Sequence, residues 1–181
     1  MRIGFTGFAG SGKDVAASAL VEHRGFVKVN MSDALLRDMK ILNPLVQIDS
    51  GQTQRLNDWL EVFGYDDLKA ASTDFRELLQ RYGTDVWRSV DEDTWVHRAA
   101  QQAALHDRVV TTGVRFLNEM QGIDVLVWVH RPGFGPVNGH ESEVGMRDVI
   151  ELADLVLEND GTMDDLARAT LNLADQLLDG S

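Results

Sequence analysis

Apolar positions recur along this chain with two different periods. Short apolar runs at Ile3-Gly4-Phe5, Phe26-Val27-Lys28-Val29, Val109-Val110-Thr111-Thr112, Val125 to Val129 and Leu155-Val156-Leu157 predict strands. The last three read as buried on both faces. Between them lie one-sided stripes that predict helices. Val15, Ala16, Ala19 and Leu20 mark the first, and Ser32 or Asp33 caps a second that runs through Leu42 and ends at Pro44. The middle of the chain reads as helical from Thr53 to Phe63, from Ala70 to Tyr82 closed by Gly83, and from Glu92 to His106 with Trp95, Val96, Ala99 and Ala103 on one face. Thr162 and Asp165 form a capping box for the last helix. Alternating strands and helices imply an α/β fold, a parallel five-stranded sheet with helices on both faces. In such folds ligands collect at the carboxyl ends of the strands.

One stretch fits neither period. From about Arg131 to Gly145 the chain holds Pro132, Gly133, Gly135, Pro136 and Gly139, and it carries Arg131, His140, Glu141, Ser142 and Glu143. Its place just past a strand end predicts a mobile lid that closes over phosphates.

Composition narrows the class. At 181 residues, 44% hydrophobic and 25% charged, the chain fits one compact domain with a full core. A net charge of −12 argues against a surface that coats nucleic acid, so no stable nucleic-acid binding is expected. There is no cysteine, which rules out disulfides and thiolate metal sites and suits a reducing cytoplasm. His97, His106, His130 and His140 lack paired spacing for zinc. The first strand starts at once, leaving no room for a signal peptide, and no apolar run approaches membrane-spanning length. A cytoplasmic protein that does not bind membranes is expected.

Gly7-Phe8-Ala9-Gly10-Ser11-Gly12-Lys13 follows the first strand and opens the first helix. This is the GxxxxGK spacing of a phosphate-binding loop. Glycines let backbone N–H groups turn inward, the helix adds its positive end, and Lys13 can reach the outer phosphates. A nucleoside triphosphate is therefore the expected ligand. The position after the lysine, normally Ser or Thr on Mg²⁺, is Asp14, and Val15 follows.

Phosphoryl transfer needs positive charge arranged around the transferring group. Arg115 and Arg131 each follow a strand and fall on the edge where the glycine loop lies. Arg55, Arg76 and Arg88 sit in the helical middle, where a second substrate could dock. Asp33, Asp85 and Glu119 stand near element ends, where capping or surface solvation competes with a ligand role. Trp95 reads as core, with a wall for a nucleobase as the alternative.

In order along the chain, GFAGSGKD (Gly7 to Asp14), RELLQRYGTD (Arg76 to Asp85), Trp95, RVVTTGVRFLNE (Arg108 to Glu119), HRPG (from His130), HESE (from His140) and LENDGTMDDL (from Leu157) resemble the bacteriophage deoxynucleoside monophosphate kinases. The resemblance runs almost end to end. It implies a P-loop core of adenylate-kinase type (residues 1–31 and 107–181), a helical monophosphate-binding insertion (32–106) and a short lid (131–145), with transfer of the ATP γ-phosphate to a deoxynucleoside monophosphate. It also implies Mg²⁺ with the ATP, and it is compatible with a homodimer. By motif, Gly10, Ser11, Gly12, Lys13 and Asp14 would hold ATP phosphates, Asn159 and Gly161 would border its adenine, and Arg131 would meet the transferring group. Arg115 and Glu119 match the block that reads the monophosphate, together with Arg37, Arg55, Arg76, Gln80, Gly83, Thr84 and Trp95.

The chain departs from the family pattern at three places. Gly113 stands where an aspartate is common, Val15 replaces the threonine of Lys-Asp-Thr, and Leu36 aligns with a lysine, with Arg37 and Lys40 nearby. Asp14 is then the one charged group of the loop available to a metal. Two other readings stay open, a nucleotide-binding protein without efficient catalysis and a kinase acting on modified bases in phage DNA.

Overall fold

The computed structural model describes residues 1–136 and 145–180. The chain forms two compact units, one of Met1–Met31 with Val96–Ser181 and one of Ser32–Trp95. In the first, strands β1 (Arg2–Thr6), β2 (Val27–Lys28), β5 (Val109–Thr112), β6 (Val125–His130) and β7 (Leu155–Glu158) make a parallel sheet in the order β2-β5-β1-β6-β7. The expected five-stranded architecture is present.

Strands β1, β5 and β6 reach both faces by simple alternation, whereas β7, expected to be covered on both faces, lies at the sheet edge with Val156 53% exposed. Ile3, Phe5, Val110, Val127 and Val129 join the core under α1 (Lys13–Arg24) and the last helix, α7 (Met163–Asp179). Val109 instead meets Val29 and Ala103, the latter on α5 (Thr94–Ala103). Leu126 meets Val149 on α6 (Met146–Glu151). Arg24 on α1 grips Asp175 on α7 through two bonds of 2.6 and 2.8 Å. The predicted cap of α7 is in place, with the Thr162 hydroxyl accepting from the Asp165 amide at 3.2 Å and Asp165 accepting from the Thr162 amide at 3.1 Å.

The second unit is built around Met39, Val46, Leu56, Trp59, Leu68, Phe75 and Leu79. Helix α2 (Met31–Leu42) matches expectation. Thr53 to Arg55 do not. They form β4 (Thr53–Arg55), antiparallel to β3 (Leu45–Gln47), and α3 (Leu56–Ala71) begins only after them. The buried Trp59 indole donates to the Val46 carbonyl at 2.9 Å and so pins α3 to this hairpin. Ser72 then interrupts the predicted helix from Ala70, because its hydroxyl caps α4 (Thr73–Gln80) through the Phe75 amide at 3.0 Å.

Gly83 does not close that helix either. It lies inside a π-helical segment, Arg81–Arg88, and is buried there. The wider turn leaves the Gly83 carbonyl able to accept from the Trp95 indole N–H at 2.9 Å. A tertiary bond thus decides what the glycine does. The helix predicted from Glu92 to His106 is shorter than expected, at Thr94–Ala103. Among the described residues no helix is long and apolar enough to cross a membrane.

Candidate functional site

The glycine loop leaves β1 and enters α1, and β1 lies between β5 and β6 in the sheet. The segments that follow those two neighbours therefore flank the loop. Close approach explains its glycines. A Cβ on Gly12, whose φ is +102°, would fall 2.6 Å from the Leu166 side chain and 2.7 Å from the Asn159 amide. That amide donates to the Ser11 carbonyl at 2.8 Å, while the Asn159 backbone N–H bonds the His130 carbonyl at 2.8 Å. Asn159, a residue expected near adenine, thus ties the loop to the ends of β6 and β7. Gly161 lies just beyond it, in the turn capped by Asp165.

Two features of the loop bear on a ligand. Lys13 donates to the Phe8 carbonyl at 2.8 Å, which folds its side chain back along the loop. Ser11 is 1% exposed, and its hydroxyl has no partner among the described residues. A buried hydroxyl left unmade is costly, so an acceptor oxygen at this point would be stabilising.

Arg131 follows β6 and donates to the Gly10 carbonyl at 3.0 Å. On the other side, the Thr6 hydroxyl donates to the Val114 carbonyl at 2.8 Å, fixing the chain just before Arg115. Glu119, 5% exposed, accepts from the backbone N–H groups of Arg115 at 2.7 Å and Phe116 at 3.3 Å. Its carboxylate holds the backbone that carries Arg115. The structure therefore gathers Gly10, Ser11, Gly12, Lys13, Asn159 and Arg131 at one place, with Arg115 and Glu119 built into the neighbouring strand end.

Asp14 lies in a network that composition alone does not disclose. Its Oδ1 accepts from the Lys28 ammonium at 2.6 Å and from the Thr112 hydroxyl at 3.1 Å. Asn30 Oδ1 accepts from the Thr112 amide at 3.0 Å and lies 3.0 Å from the Thr112 hydroxyl oxygen, so Asn30 and Asp14 share that hydroxyl's single proton. Partial desolvation pushes the Asp14 carboxyl up, but the bonds and charge of Lys28, with help from Thr112 and Lys13, outweigh it and leave the group below the usual aspartate range. Asp14 is thus paired with an ammonium from outside the loop. Lys28 and Thr112 end adjacent strands and Asn30 follows just beyond the first, and the strand order was the signal that could have found them.

The remaining candidates belong to the second unit. Arg37 is exposed on α2, Arg55 ends β4 and donates to the Asn43 carbonyl at 3.2 Å, and Arg76 on α4 donates to the Lys69 carbonyl. Gln80, Gly83 and Thr84 straddle the start of the π-helical segment. Trp95 is 5% exposed and stands edge-on to Trp87, with ring centroids 6.3 Å apart, as the core reading expects. Most of the expected lid, including His140, Glu141, Ser142 and Glu143, lies outside the described residues.

No family model matches the chain. A protein of Acanthamoeba polyphaga mimivirus assigned as a deoxynucleotide monophosphate kinase is 30% identical over 185 residues, covering 96% of this chain and 95% of that one. Dephospho-CoA kinase from Campylobacter jejuni is similar in structure with a TM-score of 0.57 at 12% identity, covering 99% of this chain and 98% of that one. Shikimate kinase from Aquifex aeolicus gives 0.53 at 14% identity over the whole of both chains. At such identities the structural likeness speaks for the P-loop kinase fold alone.

Proposed function

Because the chain belongs to the deoxynucleotide monophosphate kinase family, we propose that it transfers the γ-phosphate of ATP to a deoxynucleoside monophosphate, releasing ADP and the diphosphate. The observation that carries this is the loop itself, with Lys13 and Arg131 both bonded to its carbonyls and the Ser11 hydroxyl buried without a partner among the described residues. A triphosphate seated there would accept from the loop N–H groups and from Lys13. Arg131 would meet the transferring group, where charge grows in the transition state. Arg115, held by Thr6 and Glu119, would take the acceptor phosphate. Gln80, Gly83 and Thr84, with Arg37, Arg55 and Arg76, would read the acceptor nucleotide. On this reading Trp95 supports the acceptor site through its bond to Gly83.

The residues present suit Mg²⁺ in a limited way. No cluster of three His, Cys, Asp or Glu occurs among the described residues. The oxygens beside the loop are the Asp14 carboxylate, the Thr112 hydroxyl and the Asn30 amide, hard donors that fit a cation keeping mostly water and phosphate ligands. When bound, the metal would neutralise charge between the β- and γ-phosphates. Asp14 would orient its water, and Thr112 and Lys28 would orient Asp14.

The test is transfer of labelled γ-phosphate to each common deoxynucleoside monophosphate and, separately, to DNA carrying modified pyrimidines. Label in a deoxynucleoside diphosphate is expected. ATP binding without transfer to any acceptor, or label in DNA alone, would overturn the proposal.

A further inference from the structure

We propose that Phe134 is a positioning residue that sets the guanidinium of Arg131 over the glycine loop, an inference resting on the reading of Arg131 as the group that meets the transferring phosphoryl. Arg131-Pro132-Gly133-Phe134 is a tight turn. The Phe134 amide donates to the Arg131 carbonyl at 3.2 Å, and Gly133 has a φ of +82°. Proline second and a left-handed glycine third are the residues a type II turn demands. The turn brings its first and last side chains together. The Arg131 guanidinium carbon stands 4.5 Å from the centroid of the Phe134 ring, an attraction between cation and ring face.

The same ring also touches the loop. A Cβ on Gly10 would lie 2.7 Å from Phe134 Cε1, and Gly10 is the residue whose carbonyl Arg131 bonds. Arg131, Phe134 and Gly10 therefore form a closed three-way contact. A long exposed side chain such as Arg131 would otherwise sample many rotamers. With one N–H on Gly10 and its face on the ring, it is restricted to orientations near the loop, and its other donors have no partner among the described residues. Phe134 is itself 42% exposed and belongs to none of the hydrophobic cores. Among the described residues it touches the arginine and the loop.

The experiment uses the full chain with Phe134→Ala, Phe134→Leu and Phe134→Tyr, each alone, and Phe134→Ala also combined with Arg131→Ala. Removing the ring should lower kcat by about ten- to a hundredfold, as small misplacements of a reacting group do. KM for ATP should stay within about twofold, and melting temperatures should not move. Tyr should rescue and Leu should not. In the Arg131→Ala background Phe134→Ala should cost nothing more. Unchanged kcat in Phe134→Ala, or an equal loss without Arg131, would overturn the proposal. Ring-current shifts of the Arg131 side-chain protons, present in the wild type and lost in Phe134→Leu, test the contact without turnover. Their absence would refute the positioning. A wild type that shows the shifts but phosphorylates no monophosphate would instead refute the functional reading.

Discussion

Asn159→Ala isolates the clip between the glycine loop and the end of β7. The substitution removes the donor that faces the Ser11 carbonyl at 2.8 Å, and with Ser11 1% exposed the freed carbonyl gains little from solvent. Leaving a buried acceptor unmade costs about 1–3 kcal/mol. For a chain of this size about 2 kcal/mol lowers the melting temperature by roughly 4–8 °C. The change should also reach the ligand. In a trans peptide the N–H points opposite to the C=O, so the bond that turns the Ser11 carbonyl toward Asn159 turns the Gly12 N–H the other way. Once the clip is gone that peptide can rotate, and KM for ATP should rise about tenfold, the equivalent of about 1.4 kcal/mol of binding. Circular dichroism melts and initial rates over an ATP series measure both. A melting point within 1 °C of wild type, or a normal KM despite a lowered melting point, would show that Asn159 does not hold the loop in its binding shape.

Lys13→Ala should keep the wild-type circular dichroism spectrum and lose about two to four orders of magnitude in kcat, since the charge is needed most in the transition state; normal turnover would remove the loop from the reaction. Lys28→Met should raise the Asp14 carboxyl titration seen by NMR, because the ion pair and hydrogen bond that oppose desolvation disappear. Since Lys28 depresses the folded value, its stabilisation is present above the unfolded aspartate range near about pH 4 and fades as pH falls through the lowered folded value. The stability gap between the two proteins should therefore be seen at neutral pH and close in strong acid, and a gap that widens in acid contradicts the pairing. Gly113→Asp supplies the carboxylate that the family resemblance leads one to expect at that position, with open space around the new Cβ but at a φ of +82°. It should tighten apparent Mg²⁺ affinity while costing about 1 kcal/mol of stability, and a titration unchanged in Mg²⁺ would mean that the metal is organised elsewhere.

What could be read from the sequence follows burial. Val109-Val110 and Val125 to Val129 identify themselves as strands because both faces are covered and every position must be apolar. The glycine loop and Arg131 come out together because strand ends in a parallel sheet share one edge. The β3-β4 hairpin gives no such signal, since Leu45 is 60% exposed and Thr53, Gln54 and Arg55 are all exposed. It is held by backbone pairing and by an indole reaching over from Trp59. Gly83 misled for a similar reason, because the partner that keeps it inside the helix is Trp95, twelve residues on. The Asp14 network joins residues up to 98 positions apart, and only the strand order makes Lys28, Asn30 and Thr112 neighbours. Phe134 was within reach, for Arg-Pro-Gly-Phe is a turn signature whose geometry puts the first and fourth side chains side by side.

The chain leaves the sheet after β2 and returns to it at β5, and these two strands pair directly, Val27 with Val109 and Lys28 with Val110. The whole stretch Ser32–Trp95 is therefore a detour between hydrogen-bonded neighbours, with a core made of its own residues. On the proposed division of labour, the handling of both phosphates and the reading of the acceptor's base are encoded in separate stretches. A lineage could trade one detour for another and change what is phosphorylated, while the ladder that carries the glycine loop, Arg115 and Arg131 is inherited intact.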